Sequence, residues 1–319
     1  MKINPAKKYK IILIIILIVI ISLITIELGL HFFFPQDLKI TRFDPILEQE
    51  LIQGKKTMYA SPAGILTKEY NHPIRISSQG LREDKIYPKK DDAYRIIMLG
   101  SSFTLGAGVE LEETFSKLLE TKLNEKHTKK VEILNFGVQA SKPDNQFSLL
   151  VTKAKDFHPN MVIMNVPTPT MVRHSKLYSI ENGSVKRKII KPPSTQMRIR
   201  AKLMEKSHLW SFLLRYLSNN QLIGRALIKA GLFNRPRSNL YGAKTLESYQ
   251  KGFEIQSKMI GLAYEFCKKN NISFFVMIIP TKEEVDEQAF QETTKYMPLE
   301  SFLTKNKIES DLQKYLSEH

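Results

Sequence analysis

The feature that most restricts what this 319-residue chain can fold into is an apolar run near its start. From Ile11 to Ile26 the residues are Ile, Leu and Val, broken only by Ser22 and Thr25; the apolar character continues past Glu27 and His31 through Phe32, Phe33 and Phe34. As a helix, Ile11–Phe34 would reach about 36 Å at about 1.5 Å per residue, enough to cross a bilayer core of about 30 Å. A cleavable signal peptide has a shorter apolar core, of about 7–15 residues, and a small-residue cleavage site. Here the run is longer and no Ala-x-Ala follows it. A buried core helix fits less well, because nothing so uniformly apolar recurs later to pack against it. The expectation is therefore a basic tail over 1–10 and an uncleaved anchor in the lipid bilayer over 11–34. Glu27 and His31, one turn apart near the far end, are placed at interface depth, where polar tips are tolerated.

Flanking charge gives an orientation. Lys2, Lys7, Lys8 and Lys10 precede the run, whereas Asp37, Lys39, Arg42 and Asp44 after it are mixed. The positive-inside rule puts the N-terminus in the cytoplasm and the bulk of the chain outside the cytoplasmic membrane. The single cysteine, Cys267, excludes an internal disulfide.

The rest of the chain changes rhythm several times. Residues 35–92 carry many turn formers and read as an irregular lead-in with short strands. From Tyr94 to Gly100 a short apolar run suits a buried parallel strand, followed by helical spacing over Glu112–His127. Val131–Val138 reads as a second strand, Pro143–Phe157 as a second helix and Met161–Val166 as a third strand. After a break the pattern resumes, with a helix over Thr245–Asn270, a strand over Ile272–Ile279, a helix from about Pro298 to Thr304 and a last amphipathic stretch. Alternating strands and helices indicate a doubly wound α/β domain with a parallel sheet, over 93–172 and 244–319.

The chemistry concentrates where the first strand ends, in Gly100-Ser101-Ser102-Phe103-Thr104-Leu105-Gly106. Ligands of open α/β sheets gather at the carboxyl ends of strands. A hydroxyl on a tight turn there, at a helix start, has backbone N–H groups nearby to stabilise an oxyanion. No Lys follows the glycines as in a P-loop, and position 104 lacks the Gly of a G-x-S-x-G elbow.

This loop resembles the first block of the SGNH (GDSL-type) hydrolases, in particular their membrane-anchored bacterial members. The similarity extends to Ser78-Gln-Gly-Leu-Arg82 before it and to Gly108-Val109 and Glu113-Thr114-Phe115 after it. It implies a three-layer α/β/α, flavodoxin-like domain and a serine ester hydrolase or acyltransferase acting on acyl esters, often acetyl, of envelope glycan or lipid. Ser102 would be the nucleophile, with Ser101 where the family has Asp. In the second block, Asn135-Phe-Gly137-Val-Gln-Ala140, Ala140 replaces a Gly whose N–H serves the oxyanion hole. In the third block Pro169 falls where an Asn side chain would donate, and it has neither a side-chain donor nor an N–H. No Asp in the chain has His three residues later, so the family's Asp-x-x-His block, which supplies the base, is not found.

Three readings of Ser102 follow. It works with a substitute base, His174 or the terminal His319; or the chain is a shortened or degenerate relative with little activity; or Ser102 is an ordinary turn residue. A non-catalytic, membrane-tethered binding or assembly protein that keeps the fold is the competing class. His72, His127, His158 and His208 read as solvated or capping residues. No zinc-ligand spacing occurs, and neither a metal nor a cofactor is expected.

The net charge of +16 is uneven: between Arg173 and Ala243 there are 15 Lys or Arg against two acidic residues. This basic, helical insertion over 173–243 contains the amphipathic stretches Leu209–Leu217 and Leu222–Leu232. It reads either as a cap with solvated charges or as an interfacial surface for anionic lipid or an anionic envelope polymer. Nucleic acid is excluded by the expected topology.

Overall fold

The computed structural model describes residues 5–36, 38–59, 72–84, 87–88, 93–219, 245–296 and 304–318. The chain divides into two compact units: 1–40, 57–71 and 194–235 form one, and 41–56, 72–193 and 236–319 the other.

The first unit is built on the apolar run. Helix α1 spans Pro5–Phe33, and its stretch Lys7–Phe33 is long and apolar enough to cross a membrane. Its Leu and Ile side chains are exposed from Ile11 to Leu28, and Leu30 is half-buried. The two hydroxyls inside it are satisfied locally, Ser22 Oγ by the Ile18 carbonyl (2.8 Å) and Thr25 Oγ1 by the Ile21 carbonyl (2.9 Å), so neither is an orphan polar group in an apolar surround.

The second unit holds the α/β layers. After short lead-in strands β1 (Thr41–Asp44), β2 (Glu48–Leu51) and β4 (His72–Arg75), with β3 (Lys56–Tyr59) falling almost wholly in the first unit, the central sheet uses β5 (Tyr94–Gly100), β6 (Val131–Gly137), β7 (Met161–Pro167) and β10 (Ser273–Ile279). All four run parallel in the order β6-β5-β7-β10. Successive side chains of a strand face opposite layers. Ile96 and Met98 of β5 and Val131 and Ile133 of β6 meet Phe115, Leu119 and Leu123 of helix α3 (Phe115–Lys126). Leu118 of the same helix is 49% exposed. The other face takes α4 (Pro143–Thr152), continued by a 3-10 turn over Ala154–Phe157, and the long α7 (Leu246–Lys269). The apolar runs of β5 and β6 are thus buried on both sides, as parallel strands require. β10 is different. It is flanked by β7 alone among the described residues, and Phe275 and Met277 stand exposed on it.

The basic segment departs from the helical insertion expected over 173–243. It opens as an antiparallel hairpin, β8 (Tyr178–Glu181) and β9 (Ser184–Arg187). Asn182 and Gly183 make its turn with φ of 50° and 76°, the left-handed pair that two-residue hairpin loops need. Leu177 and Tyr178 bury against Ile255 and Met259 of α7, so the hairpin belongs to the α/β unit. Only then come helices α5 (Thr195–Lys206) and α6 (His208–Asn219), which belong to the unit of α1. The stretch Leu222–Leu232 and most of the helix expected from Pro298 lie outside the described residues. Two helices not anticipated, α8 (Lys282–Val285) and α9 (Glu287–Tyr296), follow β10, and the last amphipathic stretch is α10 (Lys307–Glu318), which buries Ile308 and Leu312.

Candidate active site

The serine loop leaves β5 at Gly100. Ser101 takes the N-cap position in extended geometry and Ser102 opens the short helix α2 (Ser102–Leu105). Ser102 is half-buried, while Phe103 beside it is 58% exposed. The turn is held from below by a buried polar layer. Thr104 lies fully buried: its hydroxyl accepts from Asn165 Nδ2 of β7 (3.0 Å), and its carbonyl accepts from Asn135 Nδ2 of β6 (2.5 Å). Asn135 also donates to Ser116 Oγ (3.2 Å) and accepts the Gly137 N–H (2.9 Å), and Gln146 Nε2 of α4 donates to the Asn165 carbonyl (3.0 Å). A β-carbon at Gly137 would strike the backbone of Thr104 and Leu105, so only glycine lets the loop sit this close to β6.

A second brace comes from the lead-in. Arg82 is 1% exposed, and its guanidinium donates to the carbonyls of Leu105, Gly106 and Val109. The Ser78–Arg82 stretch singled out in the sequence therefore acts on the serine loop directly. Burial pulls the Arg82 guanidinium below its ordinary value, and the carboxylates of Glu110, Glu112 and Glu83 oppose that.

The three residues marked in the sequence emerge from three adjacent strands, at their carboxyl ends. Ser102 follows β5. Ala140 follows β6, exposed and at φ 59°, and its N–H donates to no acceptor among the described residues. His174 follows β7 and the 3-10 turn Thr168–Thr170 that contains Pro169. The imidazole of His174 is exposed and meets Ser248 Oγ at 3.1 Å, at the start of α7. Among the described residues, no imidazole or carboxylate is hydrogen-bonded to Ser102 Oγ. His319 lies outside them. Replacing Ala140 by Gly removes a left-handed L-residue, a strain of about 1–2 kcal/mol, and returns some chain entropy to the unfolded state. The expected net gain is about 1 kcal/mol, measurable as a rise in the unfolding midpoint.

Sequence reasoning passed over two buried carboxylates at this edge. Asp144 on the first turn of α4 is fully buried. Its carboxyl is raised, chiefly by burial, with Lys142 (3.5 Å away) and Ser175 pulling the other way. Glu284 on α8 is 3% exposed; it accepts from Thr168 Oγ1 and from the Thr281 N–H (2.7 Å). The signals were present: an acid at a helix start after Pro143, and Thr281-x-x-Glu284 as a capping pattern. Both acids serve the backbone around the site.

No family model matches the chain, and no curated protein does. Among solved structures it is similar to AlinE4, titled an SGNH-hydrolase family esterase, at 17% identity and a TM-score of 0.26, over 66% of this chain and 100% of that one. It is similar to TesA at 10% identity and a TM-score of 0.25, over 70% and 98%, respectively. A variant of Axe2, an acetylxylan esterase from Geobacillus stearothermophilus, matches at 9% identity and a TM-score of 0.23, over 59% and 77%.

Proposed function

We propose that this protein is a membrane-tethered relative of the SGNH serine ester hydrolases, with weak or no turnover in this chain. Its substrate class would be acyl esters, acetyl among them, of envelope glycan or lipid. The observation that carries this reading is a fully braced serine loop whose Ser102 Oγ meets no base among the described residues. A serine hydroxyl without a base is a poor nucleophile at neutral pH. An oxyanion site without a complete triad retains only about 10³–10⁴-fold catalysis over water. The position of Pro169 removes a further donor, a loss that typically costs about 10²–10³ in rate. α1 supports the tether by its length and apolarity, and the flanking lysines support an extracytoplasmic α/β unit.

The test is labelling of the detergent-solubilised full chain with a fluorophosphonate probe, beside Ser102→Ala. We expect slow labelling that disappears in the variant, and acetyl-ester hydrolysis no faster than the oxyanion-only level. Rapid turnover would overturn the weak-activity reading. No labelling of a folded protein would leave the second reading, a tethered binding or assembly module, which the engagement of His174 by Ser248 favours.

A further inference from the structure

The α1 unit contains a polar lock that local sequence patterns do not reveal. Glu27 lies in α1, about 9 Å along the helix before Phe33 at about 1.5 Å per residue. Its carboxylate accepts from Ser207 Oγ (2.8 Å), the His208 N–H (2.7 Å) and the Leu209 N–H (2.9 Å). These are the linker and opening residues of α6, whose free N–H groups and dipole favour an anion. A second tie joins the strap after α1: His208 is buried rather than solvated, and its Nδ1 accepts the Gln36 N–H (2.8 Å). The Lys39 N–H donates to the Met204 carbonyl of α5 (2.9 Å). The carboxyl end of α5, at Lys206, is thereby fixed beside Glu27.

The outward face of α5 combines two rows at helical spacing. Arg198, Lys202 and Lys206 are exposed, each four residues from the next. Alongside them stand Ile199 and Leu203, 56% and 37% exposed, again four apart. Ala201 and Met204 are half-buried. Apolar side chains next to snorkelling cations, on a helix bolted to the end of an apolar span, fit a headgroup layer, with the apolar row entering the acyl boundary and the cations at phosphate depth. We propose that α5 is a docking surface for anionic phospholipid, held at the bilayer by the Glu27 lock. This rests on the reading of α1 as a membrane span.

Trp210, the single tryptophan, sits on the first turn of α6 and reports on this neighbourhood. The full chain is reconstituted in phosphatidylcholine vesicles doped with equal mole fractions of phosphatidylglycerol or phosphatidylcholine spin-labelled near the headgroup. We expect labelled phosphatidylglycerol to quench Trp210 more strongly, corresponding to a local enrichment of about fivefold per engaged cation. The triple variant R198Q/K202Q/K206Q, which changes only exposed side chains, should make the two lipids equal. Equal quenching in the unaltered protein, or a preference that survives in the triple variant, overturns the proposal. So does soluble poly(glycerol phosphate) protecting the α5 lysines from acylation as well as phosphatidylglycerol vesicles do, because the surface then belongs to a polymer. Release of the protein by alkaline carbonate, with no quenching by either lipid, marks failure of the membrane span itself.

Discussion

Arg82→Ala is expected to lower the stability of the α/β unit by about 3 kcal/mol and to abolish probe labelling at Ser102. Hydrogen bonds to a charged donor contribute about 1.5–3 kcal/mol each, and carbonyls left buried without a donor cost about 1–3 kcal/mol each. Arg82 serves three carbonyls, those of Leu105, Gly106 and Val109. The total falls well below a simple sum because the guanidinium itself sits in an unfavourable place, as its lowered proton affinity shows. Arg82→Lys keeps the charge but not the planar fork, so one ammonium cannot reach all three oxygens. It should recover less than half of the loss. Urea unfolding of the full chain in mild detergent gives the stability, and fluorophosphonate labelling reports the loop. A variant that is as stable as the parent and labels normally would show that the loop holds its shape without Arg82.

Arg95→Ala is expected to cost about 3–5 kcal/mol, the range for removing one partner of a buried pair. Arg95 is 2% exposed and lies on β5, far along the strand from Ser102. Its Nη2 meets Glu132 Oε2 of β6 at 2.8 Å and the Pro88 carbonyl at 2.8 Å, while Nη1 donates to the Phe157 carbonyl (2.7 Å). At about 2–4 °C per kcal/mol, the melting temperature should fall by roughly 10 °C. A pH dependence accompanies the pair. Burial alone would raise the Glu132 carboxyl, but hydrogen bonds from Arg95 and Lys130 outweigh it and hold the group below its ordinary value. A depressed carboxyl contributes stability that is complete above the unfolded value of about 4.3 and is lost as pH falls through the folded value. Glu132→Gln should therefore flatten the acid limb of the stability curve below about pH 4.3. An unchanged acid limb in that variant would assign acid sensitivity to other carboxylates.

The strands and helices that surround Ser102 were legible because their signals are local: apolar runs of strand length, a Pro at a helix start, glycines at the loop. The same holds for α1. The supports of the site were less legible, for physical reasons. Asn165 sits inside the apolar run of β7, where its amide finds a partner only because the turn after the neighbouring β5 brings Thr104 over it. Arg82 precedes its carbonyls by more than 20 residues, and no periodicity links them. The lock between Glu27 and α6 joins residues about 180 apart in sequence. The hairpin over Tyr178–Arg187 was obscured by its charges, although Asn182-Gly183 was a readable turn. Glu284 reads as a cap in sequence, but its bond to Thr168 depends on β10 lying next to β7.

The outer margin of β10 bears on how the molecule behaves in crowded solution. A strand with an open row of amides and carbonyls is a template on which any extended chain can add itself. Here the strand is Ser-Phe-Phe-Val-Met-Ile-Ile, without a charge to discourage such growth, and Phe275 and Met277 offer a greasy landing beside it. Among the described residues nothing pairs with that margin, so extended segments of other copies could add there, and Phe275→Lys is the single change expected to raise solubility.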